Sequence, residues 1–252
     1  MRSVRDGQVP IRWPTESCPR RATRIALVVV GAGIAFGCAL PGATPHETAV
    51  TSASTGLRYA ALGDSYTIGT SVAEADRWPD QLVARLGEGS LELVANLGVN
   101  GFTSGDVIDV ELPGLQALRP GFVSVLVGVN DVVQGVPPEA YRSNAAAILD
   151  AVLGFVPANR IVAVSTPDYT VTPQGASYGD PTRQSAEIRA NNAILEELAE
   201  ARGIAFVDIY DLSLRAASDR SLVARDGLHP SGAQYALWVE RIAPVVADLL
   251  RR

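Results

Sequence analysis

The chain has 252 residues, of which 47% are hydrophobic and 19% are charged, and this composition suits one globular domain with a sizeable core. The formal net charge of −6 argues against a nucleic-acid partner, which favours a basic surface. The two cysteines, Cys18 and Cys38, both lie near the amino terminus, so the rest of the chain has neither a disulfide framework nor a cysteine-based zinc site.

The first 37 residues have the pattern of a secretory signal. The basic stretch "RRATR" precedes the apolar run "IALVVVGAGIAFG" at 25–37, which is too short to span a membrane comfortably. Gly37 and Cys38 resemble the bacterial lipobox, although the two residues before Gly37 depart from its usual composition. We expect residues 1–37 to be a lipoprotein-type signal with lipidation at Cys38, or else a plain signal, cleaved or uncleaved.

The same apolar run also looks like a strand that enters a glycine-rich dinucleotide turn. Such a turn needs a helix after the glycines and an acidic residue about 20 positions later. The residues that follow include Pro41 and Pro45 and are rich in Thr, Ser and Ala, which is typical of a flexible linker. We therefore interpret residues 38–56 as a flexible tether and residues 57–252 as the folded domain.

Apolar strands alternate with helical patterns throughout this domain. The sequence predicts strands over 58–63, 91–98, 121–131, 160–167 and 204–211, and helices over 77–87, 103–118, 137–155, 181–203 and 231–252. The second helix is expected to break near Pro113. The alternation predicts an α/β domain with a five-stranded, mostly parallel sheet that helices cover on both faces. Ligands of such sheets bind beyond the carboxyl ends of the strands.

Ser65 follows the first predicted strand, in "ALGDSYTIGTS". A serine at such a place is most often a helix N-cap. The alternative is a nucleophile at a strand end, where the start of a helix favours negative charge. A serine nucleophile needs a base. His46 lies in the predicted tether, so His229 is the only histidine of the predicted domain.

His229 lies in "RDGLHPSG", three residues after Asp226. A carboxylate so placed can accept the Nδ1 proton of the imidazole and leave Nε2 facing a serine, although a histidine beside a proline also suits an ordinary surface loop. One histidine and no cysteine leave only carboxylates as metal ligands in the domain. We expect neither a metal nor another cofactor.

Two further segments offer hydrogen-bond donors for a developing oxyanion. Backbone amides of glycines in "NLGVNGFTSGD" follow the second predicted strand, and the side chain of Asn130 in "GVND" follows the third. Glycine and asparagine clusters are also ordinary turn material. Their common place after parallel strands favours a shared site with Ser65.

The segments "GDSYTIG", "NGFTS", "GVND" and "DGLHP" occur in the order of the four sequence blocks of the SGNH hydrolases, also called the GDSL esterase/lipase family. The resemblance spans about residues 58–250. It implies a flavodoxin-like, three-layer α/β/α sandwich. It also implies that Ser65 is the nucleophile, that His229 is the base and that Asp226 orients His229.

The resemblance further implies an oxyanion hole built from the backbone N–H groups of Ser65 and Gly101 and the side chain of Asn130. It implies hydrolysis of a small-molecule carboxylic ester with a short-to-medium acyl group, similar to a lysophospholipase or thioesterase, through an acyl-enzyme. A sugar or cell-wall O-acetyl esterase or an acyltransferase on the same fold is the alternative, and a non-catalytic anchored binding protein is a remoter one.

The predicted signal determines what we expect of location and partners. We expect the protein to be extracytoplasmic, either secreted or anchored to the outer face of the bacterial cell membrane by an N-terminal lipid or signal. We expect a monomer without a nucleic-acid partner.

Overall fold

A single sheet organises the part of the chain that the structure, a computed structural model, describes, which is residues 56–252. The predicted signal, Cys38 and the tether up to residue 55 lie outside the described residues. The sheet has the strand order β2-β1-β3-β4-β5, and every neighbouring pair is parallel. The strands are β1 Leu57–Gly63, β2 Leu91–Asn96, β3 Phe122–Leu126, β4 Ile161–Val164 and β5 Ala205–Val207.

Helices connect the strands and close the chain. They are α1 Ser65–Ile68, α2 Trp78–Leu86, α3 Ser104–Asp106, α4 Leu112–Leu118, α5 Val129–Gln134, α6 Pro138–Leu153, α7 Pro181–Glu200, α8 Tyr210–Leu214 and α9 Gly232–Arg251. A π-helical turn, Val107–Glu111, joins α3 to α4. Short 3-10 turns cover Glu74–Asp76, Ala158–Arg160, Tyr169–Val171, Gly175–Tyr178, Arg215–Ala217 and Arg220–Leu222.

Two apolar layers hold the helices on the sheet. Successive side chains of a strand point to opposite faces, and in β1 Tyr59 packs in a cluster with α2 and α9, whereas Leu62 packs in a second cluster with α4, α6 and α7. Trp238 of α9 is fully buried in the first cluster. Complete burial of a large apolar side chain contributes about 1.5–3 kcal/mol. The predicted three-layer α/β/α sandwich is confirmed, with a sheet that is parallel throughout.

Four of the five predicted strands run past the carboxyl ends of the observed ones, by the most at β3 and β5, and the predicted helix break has a different form. The run of β-branched residues after β3 favours a strand locally, but the chain turns at Gly128, whose φ is 143°, and Val129 and Val132 pack into the core from α5. After β5 the chain likewise turns into α8. The expected break is a π turn, and Pro113 follows it in the first turn of α4, where a proline needs no N–H partner.

Gly63 and Glu111 fix the end of β1, directly before the segment Asp64-Ser65. The φ of Gly63 is 154°, and a Cβ there would lie 2.1 Å from the carbonyl oxygen of Leu126, so no larger residue fits. The Gly63 N–H donates to Glu111 Oε2 at 2.9 Å. Burial raises the pKa of Glu111 to about 8, and Asp64 adds to the rise, although the Gly63 N–H opposes it. A largely neutral carboxyl group therefore holds this strand end at pH 7.

We expect the substitution Glu111→Gln to change how stability depends on pH. Between about pH 4.5 and pH 8 the Glu111 carboxyl is protonated in the folded chain and ionised in the unfolded chain. The folded state then binds more protons, so the free energy of unfolding falls as pH rises through this window. Gln keeps an oxygen for the Gly63 N–H and cannot ionise. The variant should therefore have a larger free energy of unfolding than the wild type above pH 8. The difference between the two free energies should shrink as the pH falls towards 5.

Urea denaturation at pH 5, 7 and 9 measures this margin. Glu196→Gln, on the exposed face of α7, is the matched control and should follow the wild-type curve. A Glu111→Gln difference that stays the same at all three pH values contradicts the assignment.

Candidate active site

Ser65 is the first residue of α1, immediately beyond the carboxyl end of β1. The helix cap is Asp64, whose Oδ1 accepts the Tyr66 N–H at 2.9 Å, so the interpretation of Ser65 as the N-cap is wrong. The Ser65 side chain lies in a nearly closed environment, because the residue is only 6% exposed. None of the hydrogen bonds among residues 56–252 involves Ser65 Oγ.

Asp64 lies fully buried beneath the start of α1. Burial raises the pKa of Asp64 to about 7, the Tyr66 N–H lowers it in part, and the nearby Asp131 raises it further. The pKa of the Asp64 carboxyl is therefore well above that of an ordinary aspartate.

His229 and Asp226 form a hydrogen-bonded pair in the loop before α9. Asp226 Oδ2 lies 2.7 Å from His229 Nδ1, while Asp226 Oδ1 accepts the backbone N–H groups of Leu228 at 2.9 Å and His229 at 3.0 Å. Gly227, with φ of 75°, provides the left-handed backbone that this tight turn requires. An ionised carboxylate at Nδ1 favours the tautomer with hydrogen on Nδ1, which leaves Nε2 as a proton acceptor.

Ser71 makes a contact with Asp226 that no sequence motif indicates. Its Oγ donates to Asp226 Oδ2 at 2.7 Å across a separation of 155 residues, and no local pattern signals such a pair. Burial alone would raise the pKa of Asp226, but the hydrogen bonds from His229, the Leu228 N–H and Ser71 outweigh it and hold that pKa well below its usual range. The carboxylate therefore stays ionised at neutral pH.

The His229 ring lies against the residue next to Ser65. The ring centroids of Tyr66 and His229 are 5.2 Å apart, with an angle of 53° between the planes, and Tyr66 is buried. The structure thus brings the Asp226–His229 pair against the segment that begins with α1. It contains no hydrogen bond between Ser65 Oγ and the His229 ring among the described residues. Hydrogen bonds of this kind are often long without substrate.

Asn130 and Gly101 meet the same edge of the sheet. Asn130 Nδ2 donates to the Phe102 carbonyl at 2.9 Å and makes a long contact of 3.4 Å with Asp64 Oδ2. Gly101 has φ of 83°, and its carbonyl accepts Gln134 Nε2 at 3.0 Å. Within residues 56–252, neither the Ser65 N–H nor the Gly101 N–H has an acceptor. These two donors are therefore available to a bound oxygen.

Two cavities share Ser71 and Val72 and are lined by chain neighbours of the site residues, although Ser65, Gly101, Asn130 and His229 line neither cavity. The first has a volume of about 490 Å³, and the second has a volume of about 640 Å³. The first is lined by Ile68, Gly69, Thr70, Ser71, Val72, Arg77, Gly98, Val99 and Asn100. The second is lined by Ser71, Val72, Ala73, Asp76, Val223, Ala224, Arg225 and Ser231.

The described part of the chain has neither a cluster of metal ligands nor a membrane-spanning helix. Residues 56–252 contain no group of three or more His, Cys, Asp or Glu side chains placed to hold a metal ion. Over the same residues, no helix combines the length and the apolar character that crossing a bilayer requires.

Solved structures with the same fold include a protein of the G-D-S-L family, an acetyl xylan esterase and TesA. A protein of the lipolytic G-D-S-L family from Desulfitobacterium hafniense is 20% identical with a TM-score of 0.60, and the match covers 75% of this chain and 99% of that one. A variant of Axe2, an acetyl xylan esterase from Geobacillus stearothermophilus, is 18% identical with a TM-score of 0.59, over 75% and 94% of the two chains. TesA is 21% identical with a TM-score of 0.61, over 76% and 99%. At these identities the likeness concerns the fold.

Sequence comparison with protein families is more specific. No curated protein matches the chain in sequence. The model of the GDSL-like lipase/acylhydrolase family matches residues 61–237, which begin within β1 and end within α9. The resemblance drawn from the four sequence blocks is confirmed by this match. The chain therefore belongs to the GDSL-like lipase/acylhydrolase family, whose members are serine hydrolases that act on ester bonds.

Proposed function

We propose that the chain is an extracytoplasmic serine esterase that hydrolyses carboxylic esters with a short-to-medium acyl group through an acyl-enzyme on Ser65. One observation carries the proposal. The hydrogen-bonded pair of Asp226 and His229 packs on Tyr66, so an oriented imidazole lies against the residue that directly follows the buried Ser65 in α1.

The first step needs His229 as a general base. The ionised Asp226 carboxylate accepts a hydrogen bond from Nδ1–H of His229. The unprotonated Nε2 is then the atom that can accept a proton. His229 Nε2 takes the proton of Ser65 Oγ as that oxygen attacks the acyl carbonyl carbon. The carbonyl π bond opens, and its electron pair moves onto the oxygen. The carboxylate then stabilises the imidazolium by charge, without taking the proton itself.

Three donors suit the oxyanion that forms in this step. The N–H groups of Ser65 and Gly101 have no acceptor among residues 56–252. Asn130 Nδ2 donates to the Phe102 carbonyl at 2.9 Å, and its other contact, with Asp64 Oδ2, is long at 3.4 Å. A stronger acceptor can draw that amide hydrogen away from Asp64. Donors that stand ready before the reaction need no reorganisation, and the loss of one typically costs about 2.7–4 kcal/mol of the barrier.

Collapse of the tetrahedral intermediate completes acylation. The carbonyl re-forms, the bond to the leaving alcohol oxygen breaks, and His229 returns its proton to that oxygen. Water then enters, gives a proton to His229 Nε2 and attacks the acyl-Ser65 carbonyl. A second collapse, with the proton returned to Ser65 Oγ, releases the carboxylic acid and restores the serine.

The first cavity supports a substrate of moderate size. Its volume of about 490 Å³ adjoins the segment that follows Ser65 and the loop that precedes Gly101. Its lining mixes aliphatic residues such as Ile68 with the polar side chain of Asn100. A short acyl chain or an acetylated sugar fits this mixture, and the acetyl xylan esterase and TesA share the fold. We favour the short-to-medium acyl ester.

The extracytoplasmic location rests on the amino-terminal sequence. The basic segment, the apolar run at 25–37 and the Gly37-Cys38 pair are together typical of an exported, lipidated protein. The acyl chain on Cys38 would then hold the domain at the membrane surface through the tether.

The substitution Ser65→Ala tests the proposed nucleophile. We expect turnover of p-nitrophenyl acetate and butyrate to fall to the uncatalysed rate, because no oxygen remains to form the acyl-enzyme. A fluorophosphonate probe should label the wild type on the Ser65 peptide and leave the variant unlabelled. Ser177→Ala, in an exposed turn, is the control and should keep both properties. Turnover by a folded Ser65→Ala chain would refute the proposal.

The substitution Cys38→Ala tests the proposed anchor. In a bacterial host, the full-length wild type should incorporate an alkyne analogue of palmitate and sediment with the membrane fraction. The variant should lose both the label and the membrane association, because no thiol remains to carry the lipid. Label that persists in Cys38→Ala, or its absence from the wild type, contradicts lipidation at this residue.

A further inference from the structure

Ser71 joins two parts of the site that are distant in sequence. Asp226 Oδ1 accepts only N–H groups of its own turn, those of Leu228 and His229. Asp226 Oδ2 accepts His229 Nδ1 and Ser71 Oγ, each at 2.7 Å. Among residues 56–252, the Ser71 hydroxyl is thus the one hydrogen-bond donor to this carboxylate from outside the turn.

The backbone of Ser71 is held in a conformation that a serine adopts at a cost. Its φ is 66°, and Arg119 is the only other non-glycine residue with a positive φ among those described. Residues other than glycine seldom adopt such a conformation, and it persists only where the surroundings enforce it. Here the Thr70 hydroxyl bonds Asn100 Oδ1 at 2.5 Å, and the Val72 N–H bonds the Gly69 carbonyl at 3.4 Å. Glycine would relieve the cost but would offer no hydroxyl.

The position of Ser71 explains what the hydroxyl can do. It follows α1 after the turn Gly69-Thr70, on the segment that starts with Ser65. Asp226 and His229 belong to a separate loop 155 residues away. A hydrogen bond between the two segments fixes the distance and the angle at which the carboxylate, and the imidazole bound to it, face the serine.

We propose that Ser71 is a positioning residue that orients Asp226, and through it His229, towards Ser65. This inference rests on the proposed function. The low pKa of Asp226 agrees with this positioning role, because the hydroxyl donor of Ser71 stabilises the ionised carboxylate. Ser71 also lines both cavities, so direct contact with substrate is the competing explanation.

The first test compares two substitutions that remove the hydroxyl. Ser71→Ala keeps a Cβ at the same positive φ, and Ser71→Gly removes the strain as well. We expect both to lower kcat by on the order of tenfold, with KM within about twofold, because the hydrogen-bond partners that orient metal-ligating histidines and carboxylates typically contribute about 10–100-fold, and Ser71 holds Asp226 by the same kind of bond. Ser71→Asn, which tolerates a left-handed backbone and keeps a donor, should restore part of kcat.

The matched control is Ser221→Ala. Ser221 Oγ donates to the exposed carboxylate of Asp219 at 2.6 Å, so this change removes the same kind of bond away from the site. We expect kcat to stay at the wild-type value. Thermal unfolding followed by circular dichroism identifies any variant that has lost its fold.

A double-mutant cycle with Asp226→Ala separates positioning from substrate contact. The rate at which a fluorophosphonate labels Ser65 remains measurable over hours in slow variants. If Ser71 acts through Asp226, Ser71→Ala slows labelling about tenfold in the wild type and less than about twofold when Asp226 is already Ala. Equal slowing in both backgrounds, or a Ser71→Ala and a Ser71→Gly chain that both keep wild-type kcat, overturns the inference.

The outcome is independent of the test of the proposed function. An inactive Ser65→Ala chain together with fully active Ser71 variants refutes the positioning role alone. A Ser65→Ala chain that still turns over ester refutes the esterase mechanism itself.

Discussion

The parallel pairing of β1 with β2 on one side and β3 on the other is the constraint on which the site depends. Parallel strands end at the same edge, so the segments that leave β1, β2 and β3 start within reach of each other. Ser65 leaves β1, Gly101 follows β2 and Asn130 follows β3. The chain order turns back at β1, and such switch points are where open α/β sheets bind their ligands. The loop that carries His229 reaches this edge from the start of α9.

A second constraint is the burial of three carboxyl groups next to the site, those of Asp64, Glu111 and Asp131. Glu111 binds the last amide of β1, Asp64 caps α1, and Asp131 accepts both the N–H and the hydroxyl of Ser104. Burial is the largest cause of the raised pKa in each of the three. Asp226 differs, because its hydrogen bonds outweigh burial and lower its pKa. The acidic groups thus divide into three buried ones with a raised pKa, which accept hydrogen bonds from the backbone, and Asp226 with a lowered pKa, which bonds the imidazole.

The sequence was sufficient to predict the sheet and the segments that leave its carboxyl edge. The periodicity of apolar residues and the motifs "GDSYTIG", "NGFTS", "GVND" and "DGLHP" can each be recognised within a short stretch of chain. The sequence was insufficient where packing or backbone geometry decides. The β-branched run before Asn130 predicted a longer strand, but burial of Val129 and Val132 favours a helix there. The role of Ser71 could not be predicted, because neither its positive φ nor its hydrogen bond to a residue 155 positions away can be recognised in the sequence around it. A glutamate within the apolar stretch "VIDVELPGL" was the one available sign that Glu111 is buried.

A crystal structure of the chain after reaction with a fluorophosphonate would locate the nucleophile and the groups around it. We expect phosphorus bonded to Ser65 Oγ. We also expect a phosphonyl oxygen within about 3.2 Å of the N–H groups of Ser65 and Gly101 and of Asn130 Nδ2, with His229 Nε2 within the same distance of Ser65 Oγ. Phosphorus on another residue, or an adduct whose oxygen points away from all three donors while His229 remains out of reach, would contradict this arrangement.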